Sequence, residues 1–555
     1  MSTSDCDRLR KSAAIIKERL DWCLSAHTNT RCTNDTQAAA PKRLIYLDPL
    51  TQTARLVPTP SPLPKYAILS YVWGPEEDNL RTLTSNIDQM HASIPSSSLP
   101  LTLQHIFQLV KLLSLSYLWV DALCIIQDCD LDKSTEIANM ASTYINAFLQ
   151  IAATSSPGAR HGLFAPADNG QLTIDEHHDI MKVCRSLRQR DWDTTLYDHY
   201  RLLTRGWTFQ ERILARRCVH FTEKELVWEC KTARWCECGE IGATLDGCGL
   251  INNMSASLEL CRELFTKGVR KGKVSPLWRE CVMSYSKRNL GHAEDRLVAI
   301  SGIALLLQPG PGGDREYLAG MWEESMPFDL LWRCDQSSIL KERKVFRPSW
   351  SWGSVHCGVY WPKAKDWQRD PAKAAFEKKS VLETSLLEPS PEAQLAHLTS
   401  ETYFEVPLKG VPVRRVEVKA IGSQFGQIEW GFVVLLSRKV PIRIRKLQQH
   451  VGQGSHQTGW VVERMGSSLP FYPDIQFAED GCEIDVKGNG EYWLVEIARG
   501  CQGDEIWEAG LVVRQAIGQD GAYQRVGMAG HSVCEPRKVA QWFVSELEPE
   551  EISLV

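Results

Sequence analysis

The chain has 555 residues, 43% of them apolar, with a formal net charge of -5 and a pI near 6.3. That length exceeds one ordinary core, so two or three domains are expected, and the acidic balance excludes a global attraction to nucleic acid or to an anionic membrane. Eighteen cysteines are dispersed along it, and the polar stretch 1–31 has no apolar signal-peptide core, so the thiols are expected to be reduced and the protein cytoplasmic.

Leu9, Ala13, Ile16, Leu20 and Cys23 recur at helical spacing and predict an amphipathic helix over 7–24 that docks on the main body. Segments 43–48 and 54–57 flank Pro49-Leu-Thr-Gln52 as a hairpin would, and the Pro-rich stretch 58–64 ends it. Ala67 to Trp73 is an apolar run of strand length closed by Gly74-Pro75, as in a strand buried on both faces. Leu103, Ile106, Phe107, Val110 and Leu113 mark a helix over 101–113, and Tyr117 to Ile126 reads as a second buried strand. Ile137, Met140, Ala141, Tyr144 and Phe148 stripe another helix, and 148–153 reads as a third strand. This alternation predicts βαβ units, and so a parallel sheet with helices on its faces.

Beyond residue 230 the pattern turns helical, at 256–265, 277–285, 296–307 and 322–332. The charged stretch 363–397, with Pro371, Pro389 and Pro391, reads as a linker or long loop. After it the period changes to two, at 416–420, 442–444 and 492–497, which predicts a β-rich C-terminal region. The apolar stretch 106–126 is interrupted by Lys111 and Asp121, and 300–307 is too short to cross a bilayer, so no membrane span is expected. The basic run Lys267 to Lys273 lacks interleaved aromatics and reads as a solvated loop.

Three Trp-centred blocks punctuate the α/β segment: Tyr66-Ala-Ile-Leu-Ser-Tyr-Val-Trp-Gly74, Leu118-Trp-Val-Asp-Ala-Leu-Cys-Ile-Ile-Gln-Asp128 and Arg205-Gly-Trp-Thr-Phe-Gln-Glu211. In order and spacing they resemble the signature blocks of the fungal heterokaryon incompatibility (HET) domain. Glu136 to Ala147, Leu226 to Cys230, Tyr285 to Arg288, Asp295 to Ala304 and Pro348 to Trp352 are similar to further segments of full-length members. The resemblance implies an allorecognition or innate-immunity effector that promotes regulated cell death, self-associating through the domain and answering to an incompatibility partner that the sequence does not identify.

The expected organisation is an N-terminal helix and hairpin over 1–65, the HET domain over 66–212, a mainly helical extension over 213–362, a linker over 363–400 and a β-rich region over 401–555. The expected fold class is α/β. Element order and the spacing in Trp207-Thr-Phe-Gln-Glu211 are also similar to the Toll/interleukin-1 receptor (TIR) domain, whose catalytic glutamate lies four residues after a Trp on a helix. Carried over by position, that resemblance implies Glu211 as the carboxylate that cleaves the N-glycosidic bond of NAD, with NAD as substrate and no cofactor.

Ligands of an open parallel sheet sit outside the carboxyl ends of its strands, where Ser70, Trp73, Asp121 and Trp207 fall. Trp73 offers an aromatic face to a base or nicotinamide ring, Asp121 a contact to ribose, and the four-residue step from Trp207 to Glu211 puts both on one helical face. Blander readings stand beside these. The tryptophans are core residues, Glu211 pairs with Arg205 or Arg212 on a helix surface, and Asp121 satisfies loop amides. The whole domain is then a non-enzymatic signalling module.

Other motifs fail. Asp128-Cys-Asp-Leu-Asp132 begins like a calcium loop, but Lys133 and Asn139 stand where Gly and a bidentate Glu are needed. Cys23-x3-His27-x4-Cys32 and the group Cys230, Cys236 and Cys238 lack paired knuckles at finger spacing, so no metal site is expected. Glu176-His-His178 lacks a second histidine one turn on. The chain contains no G-x-S-x-G, Walker A or G-x-G-x-x-G pattern, which removes the support for serine hydrolase, P-loop NTPase and dehydrogenase readings.

Overall fold

Ser2 and Asp5 start the first helix by capping each other: the Ser2 hydroxyl accepts the Asp5 amide, and the Asp5 carboxylate accepts the Ser2 amide. The computed structural model describes residues 2–28, 32, 39–51, 53–95, 98–164, 200–223, 225–237, 242–244, 274–308, 316–326, 328–334, 348–361, 409–420, 428–451, 455–464, 467–474, 491–502, 505–516, 519, 521–533 and 547–555. The expected helix at 256–265, the basic run, Glu176-His-His178 and the linker at 363–397 lie outside these residues. The chain divides into two compact units, 1–269 with 288–290, and 270–287 with 291–555.

In the first unit, α1 (Thr3–Ala26) is followed by β1 (Arg43–Leu47), β2 (Ala54–Pro58), β3 (Tyr66–Ser70), α2 (Ile87–Ala92), α3 (Leu101–Leu112), β4 (Tyr117–Trp119), α4 (Asp121–Cys124), α5 (Asp130–Asn146), β5 (Leu149–Ala152) and α6 (Gly206–Leu214). Strands β6 (Arg217–Phe221), β7 (Leu226–Cys230), β8 (Ala233–Cys236) and β9 (Gly242–Thr244) complete it. Helix α1 buries its Leu9, Ala13, Ile16 and Leu20 stripe and packs on α3, as the periodicity predicts.

The nine strands form one sheet in the order β2-β1-β4-β3-β5-β6-β7-β8-β9. Strands β4, β3, β5 and β6 run parallel, and both flanks are antiparallel. Every residue of β3, β5 and β6 is buried, consistent with a sheet covered on both faces. From β3 the chain goes to β4 on one side and then returns to β5 on the other, so the carboxyl end of β3 is the point where the winding reverses.

Two sequence expectations are corrected here. The second strand does not run to Ile126: it stops at Trp119, and Asp121–Cys124 is a helical turn. The Asp121 carboxylate accepts the Ala122 amide at 2.7 Å, and the Cys124 amide reaches the Val120 carbonyl at 2.7 Å. A carboxylate at a helix start meets unpaired amides, whereas in a buried strand it would meet only apolar neighbours. The sheet also continues past residue 212, because β6 pairs in parallel with β5 and β7 to β9 follow as a meander.

The second unit opens with α7 (Val274–Tyr285) and α8 (Val298–Leu307), close to the expected spans. Among the described residues of 322–332 there is no α-helix. Strand β10 (Tyr317–Leu318) pairs with β11 (Met321–Trp322), and two short turns of 3-10 helix follow. The buried Asp329 carboxylate accepts there from Arg279 Nε at 2.6 Å, from the Ser325 hydroxyl and from the Trp322 amide at 3.4 Å, and such side-chain bonds to the backbone compete with helical ones. Strands β12 (Arg333–Cys334) and β13 (Val359–Tyr360) pair nearby.

The C-terminal region is β-rich, as expected: β14 (Lys409–Gly410), β15 (Val413–Ala420), β16 (Ile428–Ser437), β17 (Lys439–Val451), β18 (Ser455–Arg464), β19 (Ser467–Pro473), β20 (Tyr492–Gln502), β21 (Glu505–Gln515), β22 (Ala522–Val533) and β23 (Glu550–Leu554). Strands β17, β18, β19, β22, β21 and β20 pair in a closed antiparallel ring around a core that includes Val440, Ile442, Val462, Phe471, Leu494 and Val512. Closure into a barrel leaves these strands without free edges. Among the described residues, no helix is long and apolar enough to cross a membrane.

Candidate active site at the reversal of the sheet

Ser70 is the last residue of β3, and its side chain stands at the carboxyl end where the winding reverses. Its hydroxyl donates to Glu211 Oε2 in a short hydrogen bond across 141 residues of sequence. Gln150 Nε2 donates to Ser70 Oγ at 2.7 Å, and the Tyr144 hydroxyl lies 3.3 Å from the same oxygen. Ser70, Tyr144, Gln150 and Glu211 are all buried, Glu211 at 7% exposure.

Trp73 lies three residues further on, and Gly74 behind it adopts φ 77°, a left-handed turn that a glycine takes without strain. The half-buried Trp73 indole donates to both carboxylate oxygens of Asp121, at 3.2 and 3.0 Å. Arg205, the cap of α6, donates to the Tyr71 carbonyl and acts electrostatically on both Asp121 and Glu211. Two carboxylates and one guanidinium therefore share the site.

Burial pushes the Glu211 carboxyl up to about 7; the charge of Asp121 adds to this, while the Ser70 hydroxyl, Arg205 and the Tyr144 hydroxyl oppose it. Burial also raises Asp121, against Arg205, the Ala122 amide and the Trp73 indole. The Tyr144 phenol is held far above its ordinary value by burial and then by Glu211 and Asp121, so it stays neutral. A carboxyl group poised near neutrality in a charged, largely dry cluster is the arrangement acid–base and charge-stabilising chemistry uses. Asp121→Asn removes one negative neighbour, so the midpoint of Glu211 titration is expected to move to lower pH. Arg205→Gln should move it higher. Carboxyl titration by NMR reads both shifts, and a midpoint indifferent to either change contradicts this electrostatic account.

The structure brings together Ser70 and Glu211 directly, and Trp73 and Asp121 directly. Trp207 lies one helical turn before Glu211 on α6, half-buried where Glu211 is buried. The surface-pair reading of Glu211 is not what the fold shows: Arg212 instead makes a two-pronged bond to Glu229, at 2.8 Å on each oxygen. Sequence reasoning missed Tyr144 and Gln150. Tyr144 was absorbed into a helical core stripe, but Gln150 left a signal, being polar within Leu149-Gln-Ile-Ala152, a strand otherwise made of apolar residues.

A parallel-sheet α/β domain with paired carboxylates and a guanidinium at its reversal point is thereby defined as the N-terminal part of this chain. Residues 66–211 match the model of the family described as Heterokaryon incompatibility protein (HET). The chain thus carries a heterokaryon incompatibility (HET) domain over those residues, which supports a heterokaryon incompatibility-type function in general terms. No curated protein and no solved structure matches it.

Proposed function

We propose that this HET domain acts in the cytoplasm as a self-associating death effector that cleaves the bond between nicotinamide and ribose in NAD, with Glu211 as the catalytic carboxylate. The observation that carries the reading is the buried Glu211 held by Ser70 at the reversal point of the sheet, where ligands of such folds bind. Water replaces nicotinamide on the ribose: the C–N bond electrons leave with neutral nicotinamide, water forms the new C–O bond, and one proton is released with ADP-ribose. Positive charge builds on the ribose in the transition state, and ionised Glu211 stabilises it. In this reading Ser70 orients the carboxylate, Trp73 and Trp207 supply aromatic surface for the rings, and Asp121 engages the ribose. The similarity of Trp207-Thr-Phe-Gln-Glu211 to the TIR pattern supports the same assignment.

Since Glu211 must be ionised to act, kcat/KM is expected to rise with pH through about 7. A second reading, a non-enzymatic module acting through domain contacts, is favoured by the near-complete burial of Glu211 at 7% exposure. Purified full-length protein incubated with NAD, and yeast expressing it while NAD and viability are followed, separate the two. Nicotinamide release with NAD loss preceding death supports cleavage. Death with NAD intact, unchanged by Glu211→Gln, sinks it in favour of the module.

A further inference from the structure

We infer that this protein holds a structural zinc ion on Cys23, His27, Cys32 and Cys230. The sequence expects no metal because neither cysteine group shows paired knuckles at finger spacing, and these four residues lie in two pieces separated by nearly two hundred positions. The fold joins the pieces. Cys23 closes the buried face of α1, His27 caps the same helix one turn later, and Cys230 ends β7, the central strand of the β6 to β8 meander. The i to i+4 step from Cys23 to His27 aims both side chains the same way.

Their three sulfurs and one imidazole nitrogen all lie within 4.8 Å of one another, with His27 Nδ1 at 3.7 Å from Cys230 Sγ. Zinc–sulfur bonds of about 2.3 Å give a tetrahedron with edges of about 3.8 Å, so closing these atoms on an ion takes shifts of about an ångström or less. Cys23, His27 and Cys32 are buried, and none of the four cysteine or histidine positions is tied up in a disulfide.

Groups around the cluster are arranged for thiolates. Arg217 Nε donates to Cys23 Sγ at 3.4 Å, the Ala233 amide donates to Cys230 Sγ at 3.3 Å, and the Thr232 hydroxyl lies 3.4 Å from Cys32 Sγ. A neutral thiol is a weak acceptor, and isolated buried cysteines behave as small apolar residues. One polar group on each of three converging sulfurs instead describes metal-bound sulfur, whose orientation and charge such contacts set. Three thiolates and neutral imidazole around a divalent ion carry a net charge of about -1. Arg217, buried and also donating to the Cys32 carbonyl, offsets it.

Three cysteines with one histidine in a buried tetrahedral arrangement select zinc among the common divalent ions. Binding ionises the thiols and releases up to about three protons. The ion would clip the N-terminal helix to the sheet at whose reversal point helix α6 places Glu211, with no part in the reaction proposed for that residue.

Full-length protein purified under reducing conditions without added metal is expected to contain about one zinc per chain by elemental analysis. Cys230→Ser and Cys32→Ser should lose it, while Cys236→Ser, which alters a buried cysteine outside the cluster, should retain it. Cobalt exchanged into the wild-type protein should give the intense visible bands of a tetrahedral thiolate site, and His27→Cys should keep the ion with an altered cobalt spectrum. If the serine variants fail to fold, the wild-type metal content and cobalt spectrum still decide. Metal-free folded protein, a disulfide among Cys23, Cys32 and Cys230, or iron with labile sulfide would each overturn the assignment. Loss of NAD cleavage alone would not touch it.

Discussion

Replacing Glu211 by Gln is expected to lower NAD cleavage by about 10³-fold and, at the same time, to make the folded protein more stable above neutral pH. The two effects share one cause. Glu211 is buried, and its carboxyl ionises at about 7 in the fold against 4.5 in an unfolded chain. The folded state holds that proton more tightly, so the contribution of the group is fully present below 4.5 and is lost as pH rises through about 7. Full ionisation of a group shifted this far opposes folding by on the order of 3 kcal/mol. The amide keeps an acceptor oxygen for the Ser70 hydroxyl and carries no charge to bury. At pH 8 the variant should therefore unfold at higher denaturant than wild type, and the gap should close towards pH 4.5. A variant that is less stable at pH 8 would show that Glu211 serves packing. A variant with full activity would remove it from the chemistry.

Asp474→Ala is expected to destabilise the C-terminal unit by about 3–5 kcal/mol, because it strands a buried cation. Arg525 and Asp474 are each fully buried and meet through Nε at 2.8 Å and Nη2 at 3.3 Å. The guanidinium also donates to the Leu330 and Trp332 carbonyls and lies 3.5 Å from the centre of the Trp332 ring. Without the carboxylate, those contacts leave a positive charge in a dry site. The double replacement Asp474→Leu with Arg525→Met removes both charges and should cost less than the single change, the sign expected when desolvation dominates. Hydrogen exchange followed peptide by peptide under mild denaturant checks this: protection across β17 to β22 should fall in the single variant and partly return in the double. Additive losses would mean the pair contributes no coupling.

How much of this was legible in the sequence depends on how local each cause is. Periodicity located α1, α3 and the buried strand β3 within a few residues and marked the C-terminal part of α5, because one apolar face is written directly into the spacing. It also led the second strand past Asp121, since the amide that the carboxylate satisfies is visible only once the chain has turned. Of the site, the Trp-centred blocks marked Ser70, Trp73, Asp121, Trp207 and Glu211, but the bond joining Ser70 to Glu211 spans 141 residues and has no local signature. Tyr144 and Gln150 wear the composition of core and strand, and only their shared proximity to Ser70 Oγ gives them a role.

The sequence by itself determined the class of the fold, the family to which residues 66–211 belong and the carboxylate worth testing, because these rest on residue order and short-range pattern. Tertiary structure alone decided that Glu211 is buried and raised towards neutrality, that the C-terminal strands close into a barrel, and that Cys23, His27 and Cys32 meet Cys230. Burial, strand closure and ligand convergence are properties of distances between remote residues, which the order of the chain does not contain until it folds.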